Sequence, residues 1–164
     1  MNINTTYTKI ITGEDLMETA QHGSTLYPFQ FYYEDLSVFD FNCVEWHWHT
    51  ELEFIYIESG TVTLWIGEDQ FHLTEGNGIF INTKVLHRLY SPSKALIPNF
   101  VFMPSFIAPC DSLIYQKYIL PIISSSLPFL VFHKKVCWQA KVLSIMRQII
   151  SAQDSVSSKE LLTS

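Results

Sequence analysis

Alternation of side-chain type with a period of two residues, strongest between residues 39 and 66, is the feature that most limits how this chain can fold. Successive side chains of a β-strand point to opposite faces, so such alternation predicts strands that each turn one face towards a core. Glycine and proline residues separate similar short runs between residues 27 and 103. Many short strands with turn residues between them predict a mainly β, antiparallel barrel or sandwich.

The clearest local prediction is a β-hairpin. Residues 53–58 and 61–66 alternate in phase and flank Ser59-Gly60, a pair suited to a two-residue turn. In that register Ile55 lies opposite Leu64, and the shared face is apolar except for Glu53. The hairpin therefore predicts that Glu53 lies at the open end of a core.

Residues 109–164 do not continue this pattern of short alternating runs and are expected to be helical. Asp111 can cap a first helix, which Pro121 bends or ends, and a second helix is predicted over residues 135–151. The second helix carries two neighbouring apolar stripes, more apolar surface than packing on one core requires. We therefore expect it to pack on the barrel and on a second copy of the chain. A capping box at Ser157 predicts the start of a further helix, and hence a longer protein cut at a linker.

Composition narrows the class of protein. With 48% hydrophobic residues in 164, the chain can bury a substantial core. A net charge of −6 and the lack of a lysine and arginine stripe argue against direct binding of nucleic acid. Three cysteines without a C-x-x-C pair fit a reducing compartment better than a disulfide framework. No apolar run reaches transmembrane length, so we expect a cytoplasmic protein without a membrane partner.

A cluster of candidate ligand groups lies within the β segment. His47, His49 and Glu53 share one strand face, and His87 follows on a later strand. Three imidazoles and one carboxylate suit a divalent transition metal such as Fe²⁺, Mn²⁺, Ni²⁺ or Zn²⁺. The alternative is a polar pocket in which water, an effector or the side chains themselves satisfy these groups, so that no cofactor is required.

The remaining polar residues give no further site by sequence alone. His22, His72 and His133 fall outside the cluster and are not predicted to be site residues. No cysteine or serine is paired with a base in a recognisable motif, so no catalytic residue is assigned.

The spacing H-x-H-x3-E-x6-G, from His47 to Gly60, resembles the first motif of the cupin family apart from its leading glycine. Gly76 and His87 stand at the distances of the second cupin motif. The proline, second glycine and asparagine of that motif are replaced by Asn82, Lys84 and Ser91.

The resemblance implies a cupin barrel, that is a double-stranded β-helix or jelly roll, followed by C-terminal α-helices. It also implies that four side chains occupy metal-ligand positions: His47, His49, Glu53 and His87.

Residues 48–57, 75–82 and 99–104 resemble one branch of the cupins, the N-terminal domains of AraC-type transcriptional regulators. In that family the barrel binds a small effector, the following helices dimerise, and a separate C-terminal domain binds DNA. The resemblance implies two parts here. Residues 1–108 would form the barrel, with an N-terminal segment, 1–26, packed on it. Residues 109–164 would form the dimerisation helices and the start of a linker to a DNA-binding domain absent from this chain.

We therefore expect a ligand-sensing and dimerising domain that holds a sugar or another small polar metabolite. The predicted ligand contacts are His47, His49, Glu53, Ile55, Leu64 and His87. The alternative is a stand-alone metal-dependent cupin enzyme, a dioxygenase or isomerase, that uses the same four polar residues. A third hypothesis is an occluded barrel with a purely structural or dimerising role.

Overall fold

The computed structural model describes the backbone of residues 1–163 and the side chains of residues 1–155. Within this part of the chain, nine strands and two α-helices follow one another. They are β1 (Phe29–Tyr32), β2 (Cys43–His47), β3 (Leu52–Tyr56), β4 (Thr61–Ile66), β5 (Asp69–Thr74), β6 (Gly78–Ile81), β7 (His87–Tyr90), β8 (Asn99–Phe102), α1 (Leu120–Ile123), β9 (Phe129–Phe132) and α2 (Cys137–Thr163).

The strands form two antiparallel sheets. One has five strands in the order β1-β8-β3-β6-β9, and the other has four in the order β2-β7-β4-β5. This arrangement confirms the expected mainly β fold with C-terminal helices. An apolar inner core fills the space between the sheets, and it consists of Leu36, Phe39, Val44, Ile55, Ile57, Val62, Leu64, Ile66, Leu73, Ile79, Ile81, Leu89, Ala95 and Ile97.

The predicted hairpin is wrong. β3 pairs with β6 and β8 in one sheet, whereas β4 pairs with β5 and β7 in the other. The connection crosses between the sheets and bonds to Leu96, whose carbonyl accepts from the Glu58 amide at 2.9 Å and whose amide donates to Ser59 O at 3.1 Å. Both strands do turn their apolar faces to the inner core. Two inward faces can meet across a core as well as side by side, and alternation does not distinguish these cases.

The helical region also departs from expectation. Pro121 lies in the first turn of α1, where its missing N–H is tolerated, and the helix continues to Ile123. The predicted bend takes the form of a π-helical turn, Tyr115–Ile119, directly before it. Strand β9 was not predicted at all.

Helix α2 runs on to Thr163, so no new helix begins at residue 157. The side chains of the predicted capping box at Ser157 lie outside the described residues.

The outer face of the five-stranded sheet is covered by α2. Leu143, Met146 and Ile150 of this helix pack against an outer aromatic cluster that consists of Leu52, Tyr56, Phe80, Phe100, Phe102 and Phe132. One of the two predicted apolar stripes of α2 is therefore buried against the five-stranded sheet of the same chain. Among the described residues, no helix combines the length and apolar character needed to cross a bilayer.

Candidate ligand-binding site

The structure brings the four predicted polar residues together at one end of the space between the sheets. His47 on β2 and His87 on β7 are directly paired across neighbouring strands, and their ring centroids are 4.2 Å apart. His49 follows β2, and Glu53 lies on β3 of the opposite sheet. All four side chains are buried.

The three imidazoles are fixed in the same way. Each ring directs Nδ1 at a backbone carbonyl two residues away, and a carbonyl can only accept, so each Nδ1 carries a proton. The contacts are His47 to Glu45 O at 2.8 Å, His49 to Glu51 O at 3.2 Å and His87 to Val85 O at 2.8 Å. The Nε2 atom of each ring is then left for contacts within the cluster.

Glu53 is the negative centre of the cluster. Its Oε2 accepts from Nε2 of His49 at 3.1 Å and lies 3.2 Å from Nε2 of His87. Burial raises the pKa of Glu53, but the hydrogen bond from His49 and the nearby imidazole of His87 hold it well below its usual value. The carboxylate is therefore ionised.

His49 carries the matching positive charge. Burial lowers its pKa, but the hydrogen bond to Glu53 and the charge of that carboxylate outweigh burial and raise the pKa overall. Both ring nitrogens of His49 face acceptors, which only the imidazolium satisfies. His47 is the opposite case, because burial and the neighbouring His87 lower its pKa to about 3.

The imidazoles also meet the requirements of a metal ion. Candidate ligand atoms of His47, His49 and His87 lie within 4.8 Å of one another. Nε2 of His87 is buried and, although close to Glu53, has no aligned hydrogen-bond partner. A buried polar atom in this state is unfavourable, and an Nδ1–H held by a backbone carbonyl is the usual outer contact of a metal-binding histidine. These three residues could hold a divalent ion, with Glu53 as a fourth ligand.

A small cavity of about 40 Å³ opens beside the cluster. His47, His49 and Glu53 line it, and His87 lies behind them, fully buried. Of the two predicted apolar contacts, Ile55 lines the cavity, whereas Leu64 lies in the inner core and is not one of the lining residues. Leu64 shares the parity of Ile55 but lies on the opposite sheet.

A second polar wall of the cavity was not predicted from the sequence. Glu34 is buried there and accepts from the Tyr7 hydroxyl and, at 2.9 Å, from Nδ2 of Asn99. Burial raises the pKa of Glu34 to about 7, although these two hydrogen bonds lower it. The partners are separated by 27 and 65 residues from Glu34, so no local spacing indicates the contact.

His22, which was not predicted to be a site residue, is among the residues that line the cavity. His22 is buried in the lining of the cavity, with Nε2 3.1 Å from Glu18 and Nδ1 2.7 Å from the Tyr32 hydroxyl. It lies in a polar N-terminal segment without periodicity, which gives no sign of burial. His72 bonds to Thr63 on the surface, and His133 is exposed, as expected.

Residues 30–107 match the family described as the AraC-like ligand binding domain. The resemblance predicted from the sequence is thereby confirmed, and the AraC-like segment contains all four residues of the polar cluster.

One curated relative of this AraC-like chain is the uncharacterized HTH-type transcriptional regulator YdeC of Bacillus subtilis (strain 168). The two are 24% identical over 143 residues, which covers 85% of this chain and 48% of YdeC. The chain thus spans about half the length of the curated relative that it matches.

Solved structures with a similar fold include a conserved protein of unknown function from Streptococcus pyogenes. It has a TM-score of 0.43 and 18% identity, over 47% of this chain and 66% of the other. A cupin superfamily protein from Desulfitobacterium hafniense has a TM-score of 0.44 and 11% identity, over 49% of this chain and 71% of the other.

Proposed function

We propose that this chain is the ligand-sensing and dimerisation part of an AraC-type transcriptional regulator. Residues 1–108 would hold a small polar effector, residues 109–164 would join two copies, and DNA binding would belong to the part of a YdeC-like protein that this chain does not span. The effector would bind more tightly to one arrangement of the helices than to another, and so shift the population of a DNA-binding state.

The observation that supports this proposal most directly is the polar cavity inside an AraC-like ligand binding domain. Its walls offer an imidazolium, an ionised carboxylate and a second buried carboxyl, at His49, Glu53 and Glu34. Apolar side chains such as Ile55 and Leu89 fill the space between these groups. This lining favours a small molecule that combines hydrogen-bonding groups with some apolar surface.

Effector binding is tested by thermal unfolding in the presence of monosaccharides and other small polar metabolites. We expect at least one compound to raise the melting temperature of the wild type by several degrees, since a ligand bound only by the folded state stabilises it. The substitution His49→Ala should abolish this shift, because it removes the imidazolium that faces the cavity.

The matched control is His72→Ala, which removes an imidazole from the exposed face of β5. This variant should keep the full ligand-induced shift. An equal loss in both variants, or no stabilising compound in a broad panel, would contradict the sensing proposal.

Dimerisation is supported by the second apolar stripe of α2. Trp138 and Ile145 are 54% and 56% exposed, although α2 already buries its other stripe on the sheet. We expect a dimer in sedimentation experiments at low micromolar concentration. Ile145→Asp should shift it towards monomer, whereas Gln148→Asp, at an exposed polar position of the same helix, should not. A wild-type monomer under these conditions would contradict the proposal.

A metal-dependent cupin enzyme is the second candidate, and the unpartnered Nε2 of His87 favours it. A bound ion would supply Lewis-acid chemistry, while the backbone carbonyls would keep the imidazoles oriented. This candidate predicts near-stoichiometric metal in protein purified without chelator or nickel resin, lost in His47→Ala/His49→Ala and retained in His72→Ala. Elemental analysis that finds no metal in the wild type would remove the candidate and leave the effector proposal intact.

A further inference from the structure

A second cavity lies on the other side of the five-stranded sheet, away from the polar cluster. It has a volume of about 400 Å³ and is partly open to solvent. Strand β3 separates the two cavities, because Glu53 points inward while Leu52 and Phe54 line this outer cavity. We call it the outer apolar cavity.

Both the floor and the roof of this cavity come from the same chain. The floor consists of sheet residues, namely Leu52, Phe54, Phe80, Phe102, Leu130 and Phe132. The roof consists of residues from the helical region, namely Ile107, Ile119, Ile122, Leu127 and Val142. No charged or polar side chain is among them, so the cavity cannot satisfy a charge or hydrogen-bond a polar ligand through side chains.

Hydrogen bonds from Asn82 anchor one part of the roof, around Ile122 and Leu127. The side-chain Nδ2 of the buried Asn82 donates to the carbonyls of Ile122 and Leu127, each at 2.9 Å. The backbone N–H of Asn82 donates to the carbonyl of Pro128 at 2.9 Å. The π-helical turn Tyr115–Ile119 precedes Ile122 in the chain and ends in the roof at Ile119. Such turns are frequent at functional sites. The roof is thus fixed at a distance from the floor without filling the space below it.

Neither water nor a protein partner suits this space. Water molecules need two or more polar partners, which these side chains do not offer. The floor residues Leu52, Phe102 and Phe132 are only 4–7% exposed, so a helix or strand of another protein cannot reach them without displacing the roof. The lining residues Ile107 and Ile122 are half-exposed, and the volume lies within the range of about 300–1,000 Å³ usual for small-molecule sites.

We propose that the outer apolar cavity is a second ligand site, which takes an uncharged, apolar small molecule. This site is separate from the polar cavity and does not depend on the sensing function proposed for it. It would give the domain a way to bind an aromatic or aliphatic compound that the polar cluster rejects.

The test is titration of the full chain with Nile red, an uncharged apolar fluorophore. We expect saturable binding of one dye per chain. Val142→Phe should weaken binding by about tenfold or more, because the larger ring occupies the cavity and overpacks it in the bound state. Val136→Phe is the matched control, since it makes the same substitution at an exposed position just before α2 and outside the cavity.

A second cavity-filling variant, Ile122→Phe, acts from the opposite wall and keeps the test usable if Val142→Phe fails to fold. The proposal is overturned by non-saturable binding, by equal affinity in the wild type and both filling variants, or by an equal loss in Val136→Phe. It is also overturned if dye binding disappears as protein concentration drives dimer formation, because a second copy would then cover the cavity.

Discussion

We expect the substitution Gly60→Ala to lower the free energy of unfolding by about 3 kcal/mol, the sum of a backbone and a steric effect. Gly60 has a φ of +87°, in the left-handed region that an alanine adopts only at a cost. A Cβ atom there would lie 2.6 Å from Lys94 O and 2.9 Å from Ala95 Cα, both backbone atoms that cannot rotate away. Urea denaturation followed by tryptophan fluorescence measures the change.

Gly67→Ala is the matched control for this prediction. Gly67 also has a positive φ, +56°, at the other end of β4, but a Cβ atom there meets nothing within 4 Å. Only the backbone effect remains, so we expect a loss of about 1 kcal/mol. Equal losses at the two positions would mean that the segment around Gly60 can move away from Lys94 and Ala95, and that the crossing between the sheets is loosely held.

The sequence predicted the strands but not their pairing, and the surroundings of Gly60 illustrate why. Residues 61–66 form β4 as predicted, and Ile55 and Leu64 both face the inner core. Local periodicity determines which face of a strand is buried. It does not determine the partner strand, which here depends on the contact of Gly60 with the distant Lys94-Ala95 backbone.

Strand β9 shows the same limit in another form. Phe129–Phe132 is a short apolar run between two helices, and such a run does not distinguish strand from helix by periodicity. It becomes a strand because the free edge of β6 accepts it, with Ile79 opposite Val131. That edge is a tertiary feature, so the assignment could not be made from residues 129–132 alone.

The candidate site was predictable where its residues alternate within one short segment, although the chain there leaves β2 at His47 and enters β3 on the opposite sheet. His47, His49 and Glu53 share parity within one short segment, and the structure brings them together with His87. Each residue of the second wall comes from a segment without such regularity. Glu34 follows an aromatic run, and Tyr7 lies in the irregular N-terminal segment, so only the folded chain joins them.

The second large effect is expected from the pH dependence of stability at Glu34. The carboxyl is fully buried beside Tyr7 and Asn99, with the carboxylates of Glu53 and Glu18 nearby. Its pKa is raised from 4.5 to about 7, so the folded protein holds this proton more tightly than the unfolded chain. The contribution of Glu34 to stability is therefore fully present below the unfolded pKa and is lost as the pH rises through the folded pKa.

The substitution Glu34→Gln isolates this contribution, because an amide does not titrate. The amide cannot accept from both Tyr7 and Asn99 as the carboxyl does, but that change is the same at every pH. We expect the free energy of unfolding of the wild type, minus that of the variant, to fall by about 2 to 3 kcal/mol between about pH 5 and about pH 8. Urea denaturation at intermediate pH values should place most of this fall below pH 7, because there the carboxyl is ionised in the unfolded chain but still protonated in the folded protein.

Taking the difference matters because other buried groups titrate in the opposite sense. His47, whose pKa is lowered to about 3, contributes stability above its unfolded pKa and loses it as the pH falls, which partly hides the effect of Glu34 in the wild type alone. Glu14→Gln, at an exposed position, controls for the loss of one formal charge. A wild-type minus Glu34→Gln difference that stays constant with pH would mean that Glu34 ionises as readily in the folded protein as in the unfolded chain. The second wall of the cavity would then be open to water, and its carboxyl would meet an effector as an ordinary solvated anion instead of a buried acid that exchanges its proton near neutral pH.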